Sequence, residues 1–231
     1  MTAEHAKAIQ EMAKTTSKAI EAGEKSGKYL TSILGDGFKE LGGAFHDWTQ
    51  SYRYKNYLKL SDQIEEIHQK RMALGKPIPL TPKYALPILE NASLEDSEVV
   101  QAMWAGLIAN STDPSVEFQM KKLYIEILSS LDPIDASIIN YLGSNDLEKD
   151  YNFFNGQKLN VIEIASLAGV SEDDAAISLS NLFRHGLIID SWSETIGSID
   201  RGYSGFRVKN QESSYRLSHL GITLFNACNI T

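Results

Sequence analysis

A single cysteine, Cys228, in 231 residues excludes an internal disulfide framework and a multi-cysteine zinc site. Its expected place is a buried structural thiol, because no histidine or basic residue lies close by in sequence. No apolar run approaches the roughly 20 residues that a membrane-spanning helix needs. No apolar h-region follows Met1, so the expected location is the cytoplasm, with at most a peripheral position at the inner membrane. The five histidines, His5, His46, His68, His185 and His219, stand far apart and form no metal-ligand pair at helical spacing. They are read as surface or capping residues. A phosphate-cradling loop is also missing, since Gly35-Asp36-Gly37 does not follow a strand pattern. No catalytic residue, cofactor or metal site is therefore expected, and an enzyme such as a nuclease is the least favoured class.

What is present is a chain able to bury a core: 42% of its residues are hydrophobic. The net charge of -8 is uneven, at +2 for residues 1–76, -4 for residues 77–128 and -6 for residues 129–231. A polyanionic partner thus suits the N-terminal third better than the acidic C-terminal end.

Residues 1–50 carry apolar and small residues spaced by threes and fours, weak at first and then strongly aromatic through Leu30, Leu34, Phe38, Leu41, Phe45 and Trp48. Six glycines, at 23, 27, 35, 37, 42 and 43, interrupt this stripe. Each costs a helix interior roughly 1 kcal/mol against alanine, so the segment needs a partner surface. That surface is the rest of the fold, another copy of the chain, or a membrane approached with Lys25, Lys28 and Lys39.

Further on, a helix is predicted over Tyr52–Leu74, then a Pro77-to-Pro82 linker and a helix from Pro82 to Asn91. Ser93 is the expected N-cap of the next helix, with Asp96 reaching back to it and Glu95 and Glu98 lending negative charge to its first turn. Val100, Met103, Trp104, Leu107 and Ile108 form its core stripe, and Asp113-Pro114 ends it. Another helix is expected over Val116–Leu131.

From Asp132 the texture changes. A helix capped by Asp132 runs to Leu142, a second covers Leu159–Ala168, Gly169-Val170-Ser171 makes a tight turn, and a third covers Glu172–His185. Strands are predicted at Gly186–Asp190, Phe206–Val208 and Ser214–Leu217, and a closing helix at Leu220–Ala227. The fold class expected is mainly α, with a C-terminal winged-helix-like domain carrying a small β-wing. The organisation expected is a glycine-rich segment 1–50, a helical core 51–131 and the winged-helix-like domain 132–231.

Several blocks resemble the Abi-alpha family, bacterial proteins associated with abortive infection. They are Arg53-Tyr54-Lys55-Asn56, the proline-rich linker, Pro87 to Ser111 with its Met103-Trp104-Ala105-Gly106 core, and Leu131-Asp132-Pro133-Ile134-Asp135-Ala136. The resemblance covers about Tyr52–Leu142 and leaves the C-terminal part largely outside. It implies phage defence through arrest or death of the infected cell, and it supplies no catalytic residues. The function expected on this basis is a non-enzymatic effector. It would act through self-association or membrane disturbance by Leu30, Leu34, Phe38, Leu41, Phe45 and Trp48. Expected partners are a second copy or another protein of a defence operon, and a membrane surface.

The alternative is a winged-helix transcriptional regulator contacting DNA through Arg184, Arg201, Arg207 and Lys209. Its third helix, however, leads with Glu172, Asp173 and Asp174, which read as helix-dipole residues rather than a metal site and would face the phosphates. Protein contact is the favoured use of this domain, and DNA is not an expected partner.

Overall fold

The computed structural model describes residues 28–29, 32–34, 52–71, 76–146, 159–192 and 213–229. The fold is mainly helical, with one two-stranded antiparallel sheet among the described residues. The chain divides into two compact units, Met1–Ser129 together with Ala227–Thr231, and Ser130–Asn226.

In the first unit, α1 (Tyr52–Lys70) buries Tyr57, Leu60, Ile64 and Ile67 at spacings of three and four. The Tyr57 hydroxyl donates to the Leu89 carbonyl at 2.6 Å, and burial pushes this phenol up to about 12. Residues 76–81 form no helix, as their prolines require, and Thr81 is extended. Pro82 then opens α2 (Pro82–Ala92), where its missing N–H leaves no helix bond unmade.

α3 (Glu98–Thr112) is the centre of this unit. Eleven of its fifteen residues are buried, on every side rather than along one stripe. Its N-cap is Ser97, whose hydroxyl accepts from the Val100 N–H, while the Glu95 carboxylate accepts from the Ser97 N–H at 2.8 Å. The sequence placed the cap at Ser93. That residue instead closes α2, its N–H returning to the Leu89 carbonyl and that of Leu94 to the Asn91 carbonyl. A turn at residues 93–94 separates the two helices, so the capping serine lies one turn later than the Ser93/Asp96 spacing suggested.

The helix expected over Val116–Leu131 is also shorter, α4 (Lys122–Leu128). Asp113 accepts from both the N–H and the hydroxyl of Ser115, which turns the chain after α3. Exposure then alternates from Val116 to Met120, the period of an extended segment. Phe118 stacks on Tyr124 across the start of α4.

The second unit begins with α5 (Pro133–Asp146). The Asp135 carboxylate accepts from the Asp132 N–H at 3.0 Å, at the end where the helix dipole favours negative charge. α6 (Val161–Ala168) has a reciprocal capping box between Asn160 and Glu163. Gly169, at φ 66°, takes the left-handed conformation that ends it. Ser171 caps α7 (Glu172–Arg184). Gly186 repeats the left-handed stop after α7, so the strand begins later than Gly186, as β1 (Ile188–Trp192). β2 (Ser213–Leu217) pairs with it antiparallel, with Ile188 opposite Leu217 and Asp190 opposite Tyr215. Leu159 adds a single bridge to Tyr215 on the other edge.

This order of helices, tight turn and hairpin is the one expected from the sequence. The Phe206–Val208 strand expectation lies outside the described residues. α8 (His219–Cys228) closes the chain. Ile139, Leu142, Ile164, Leu182, Leu187 and Leu224 are among the buried apolar residues of the second unit's core.

Candidate functional site around Tyr29 and His68

The described part of the N-terminal segment is held to the helical body. Ile33 and Leu34 are buried, at 0% and 1% exposure, and the Ile33 carbonyl accepts from the Leu80 N–H at 2.8 Å. Tyr29 sits one turn earlier, with its hydroxyl 2.6 Å from Nδ1 of His68. The other ring nitrogen of His68, Nε2, is 3.1 Å from the Ala109 carbonyl oxygen. A carbonyl can only accept, so Nε2 carries the proton and Nδ1 accepts from Tyr29. Both ring nitrogens of this buried histidine are thus met. Burial, with Glu65 adding, pushes the Tyr29 phenol well above its ordinary range and keeps it a donor.

His68 belongs to a larger polar group at the ends of α1 and α3. Arg71 donates from Nη2 to Asn110 Oδ1 at 2.7 Å, and its Nη1 lies 3.6 Å from Asp113 Oδ2. Asn110 donates in turn to the Ala227 carbonyl at 2.8 Å and to that of Asn229 at 3.2 Å. Burial alone would raise the Asp113 carboxyl. The Ser115 hydrogen bonds and the charge of Arg71 outweigh it and hold the carboxyl below its ordinary range.

A carboxylate with a depressed pKa stabilises the fold above its unfolded value and loses that contribution as pH falls through its folded value. Stability should therefore fall with acidification from about pH 4 downwards. Asp113→Asn should flatten that acid limb and lower stability at neutral pH, because Arg71 loses its counter-charge. Urea titrations of both proteins between pH 3 and 7 check this, and parallel profiles would refute the assignment.

A second polar group lies in the other unit. Asn181 donates to Asp135 Oδ2 at 2.6 Å, and Ser130 Oγ is 3.0 Å from His185 Nε2. Burial, with Arg184 beside it, holds His185 below its ordinary value against the opposing pull of Asp135. These contacts fasten the end of α7 to the start of α5.

Of the segment residues singled out by the sequence, Leu34 is buried, while Leu30, Phe38, Leu41, Phe45 and Trp48 lie outside the described residues. Arg184 is exposed and bonded to Asn181 at 2.6 Å, whereas Arg201, Arg207 and Lys209 lie outside them. The reading of every histidine as a surface or capping residue fails at His68. Its place four residues after Ile64, on the apolar face of α1, was the available signal. Cys228 is buried, and burial raises its thiol. Among the described residues no cluster of three or more His, Cys, Asp or Glu could hold a metal ion, and no helix is long and apolar enough to cross a membrane.

The fold is thus a helical protein with a small C-terminal hairpin, in which Tyr29, Ile33 and Leu34 pack within the first unit. The chain belongs to the Abortive infection alpha family, whose sequence profile matches residues 53–228. That span corrects the boundary read from the sequence. The match runs through α6, α7, both strands and α8, so the C-terminal unit is part of the family pattern. No curated protein and no solved structure matches the chain. The family suggests a role in abortive infection.

Proposed function

We propose that this protein is a non-enzymatic cytoplasmic effector of abortive infection. In this reading the N-terminal segment is held on the helical body at rest and released to act on the inner membrane, with self-association as part of the response. The observation that carries it is the fastening of Tyr29, Ile33 and Leu34 by His68 and Leu80 in a chain of this family. The contact supports a reversible hold, because it joins one hydroxyl–imidazole bond and one backbone bond to two buried aliphatic side chains. The amphipathic pattern from Leu30 to Trp48, with Lys25, Lys28 and Lys39 beside it, supports a lipid surface as the target.

The test compares dye release from anionic liposomes by the full chain and by residues 51–231, alongside protection of cells against phage. Phe38→Ser, Phe45→Ser and Trp48→Ser together should abolish leakage and protection. The helical circular-dichroism signal and thermal transition of residues 52–231 should stay unchanged. Full protection by the triple variant would overturn the membrane step.

A further inference from the structure

Helix α7 carries two of the most exposed large apolar side chains among the described residues, Ile177 at 68% and Phe183 at 59%. At 100° per residue, Asp173, Ala176, Ile177, Ser180, Phe183 and Arg184 share one stripe. The buried residues Ala175, Ser178, Leu179 and Leu182 define the opposite side. The stripe has acid at one end, small residues in the middle and a base at the other end. Among the described residues Glu172 and Asp173 have no ion pair, and Arg184 reaches Asn181 and His185.

We propose that this face of α7 is a homodimer interface, with two copies packed antiparallel about a two-fold axis near Ser180. Inverting the helix brings Asp173 of one copy towards Arg184 of the other, twice per dimer. Along the helix, residue 173 lies about 10 Å and residue 184 about 6 Å from the axis, and an arginine side chain spans that difference. Ile177 and Phe183 then meet across the seam, and Ala176 and Ser180 let the helices approach closely. A two-fold contact needs a surface complementary to itself, which this polarity provides.

The same polarity disfavours the two polyanionic occupants. Glu172 and Asp173 would confront DNA phosphates or anionic headgroups at the end of the helix that should approach them. A single helix pair buries less than the roughly 1,200–2,000 Å² of a standard interface, so the dimer is a reversible one. This contact lies in the second unit and does not rest on the membrane step proposed above.

Sedimentation velocity of the full chain over a range from about 1 to 500 μM tests it, a span chosen for a weak contact. The parent should pass from monomer to dimer, and Ile177→Glu with Phe183→Glu should remain monomeric throughout. Asp173→Arg alone and Arg184→Asp alone should each weaken the dimer about tenfold, because each turns two attractive pairs repulsive. Mixing those two single variants should restore a dimer containing one copy of each, a result that mere damage to the fold would not produce.

Ser180→Cys should form an intermolecular disulfide under mild oxidation, while Ser166→Cys, equally exposed on α6, should not. A parent that stays monomeric overturns the proposal. So does a dimer that Ile177→Glu with Phe183→Glu leaves intact, or charge variants that gain nothing on mixing. A dimer held by residues 1–50 would give the second of these results and leave the liposome test unaffected. Loss of leakage with an intact α7 dimer would fail only the membrane reading.

Discussion

Trp104→Ala should leave a protein that is insoluble or unfolds many degrees below the parent. The indole is 1% exposed in a helix buried on every side, and Met103, Leu107 and Ile108 beside it are equally enclosed. Replacing a buried tryptophan with alanine removes its transfer free energy and leaves a cavity that a close-packed interior refills only in part. The usual loss is about 3–5 kcal/mol, a large share of the stability of a domain. Trp104→Phe keeps much of the volume and should fall between the two in thermal and urea melts. If Trp104→Ala melts with the parent and loses only phage protection, the residue belongs to a binding surface and the packing account is wrong.

Gly106→Ala should be nearly as damaging, although it adds one methyl group. A Cβ at this position would fall 1.7 Å from the Cys228 carbonyl oxygen and 2.6 Å from its carbonyl carbon. Both are backbone atoms, so no side chain can rotate away. Either α3 or the end of α8 must move, and the Asn110 bonds to Ala227 and Asn229 stretch with it. Overpacking of a filled interior costs about 1–3 kcal/mol and sometimes more, and a clash with backbone puts this site at the upper end.

A double-mutant cycle isolates the cause. In a chain ending at Asn226 the carbonyl is absent, so Gly106→Ala should then cost almost nothing, alanine being the better helix former. The same loss in both backgrounds would place the obstruction elsewhere. Gly106 lies in the Met103-Trp104-Ala105-Gly106 run that carried the family resemblance. The clash supplies a physical reason for a glycine in that run, independent of the resemblance.

The C-terminal unit was read well from the sequence because its signals are local. Gly169 and Ser171 stop one helix and cap the next within three residues, and each acts through backbone groups a turn away. The residues of the Val100-to-Ile108 stripe are buried as expected, although the helix is enclosed on its other sides too. The errors fell where two local signals competed. Ser93 and Ser97 both precede acidic residues, and only the turn at residues 93–94 selected Ser97 as the cap. Val116–Leu131 has helical members throughout, but the Asp113–Ser115 turn and the extended run to Met120 claimed its first part.

The candidate site was the least legible feature, because its members are remote in sequence. Tyr29 and His68 are 39 residues apart, and Asn110 and Ala227 are 117 apart. Periodicity marks which face of a helix is buried and is silent about what that face meets.

By itself, the sequence determined the mainly helical class, the Gly169 stop and Ser171 cap of the C-terminal unit, the burial of Trp104 and the family. Each depends on residue spacing within one element or on a matched string. Only the tertiary structure decided that His68 is a buried partner of Tyr29, that Gly106 makes room for the Cys228 carbonyl, and that Ile177 and Phe183 stand exposed on α7. These depend on which surfaces meet and which are left uncovered. Long-range packing sets that outcome.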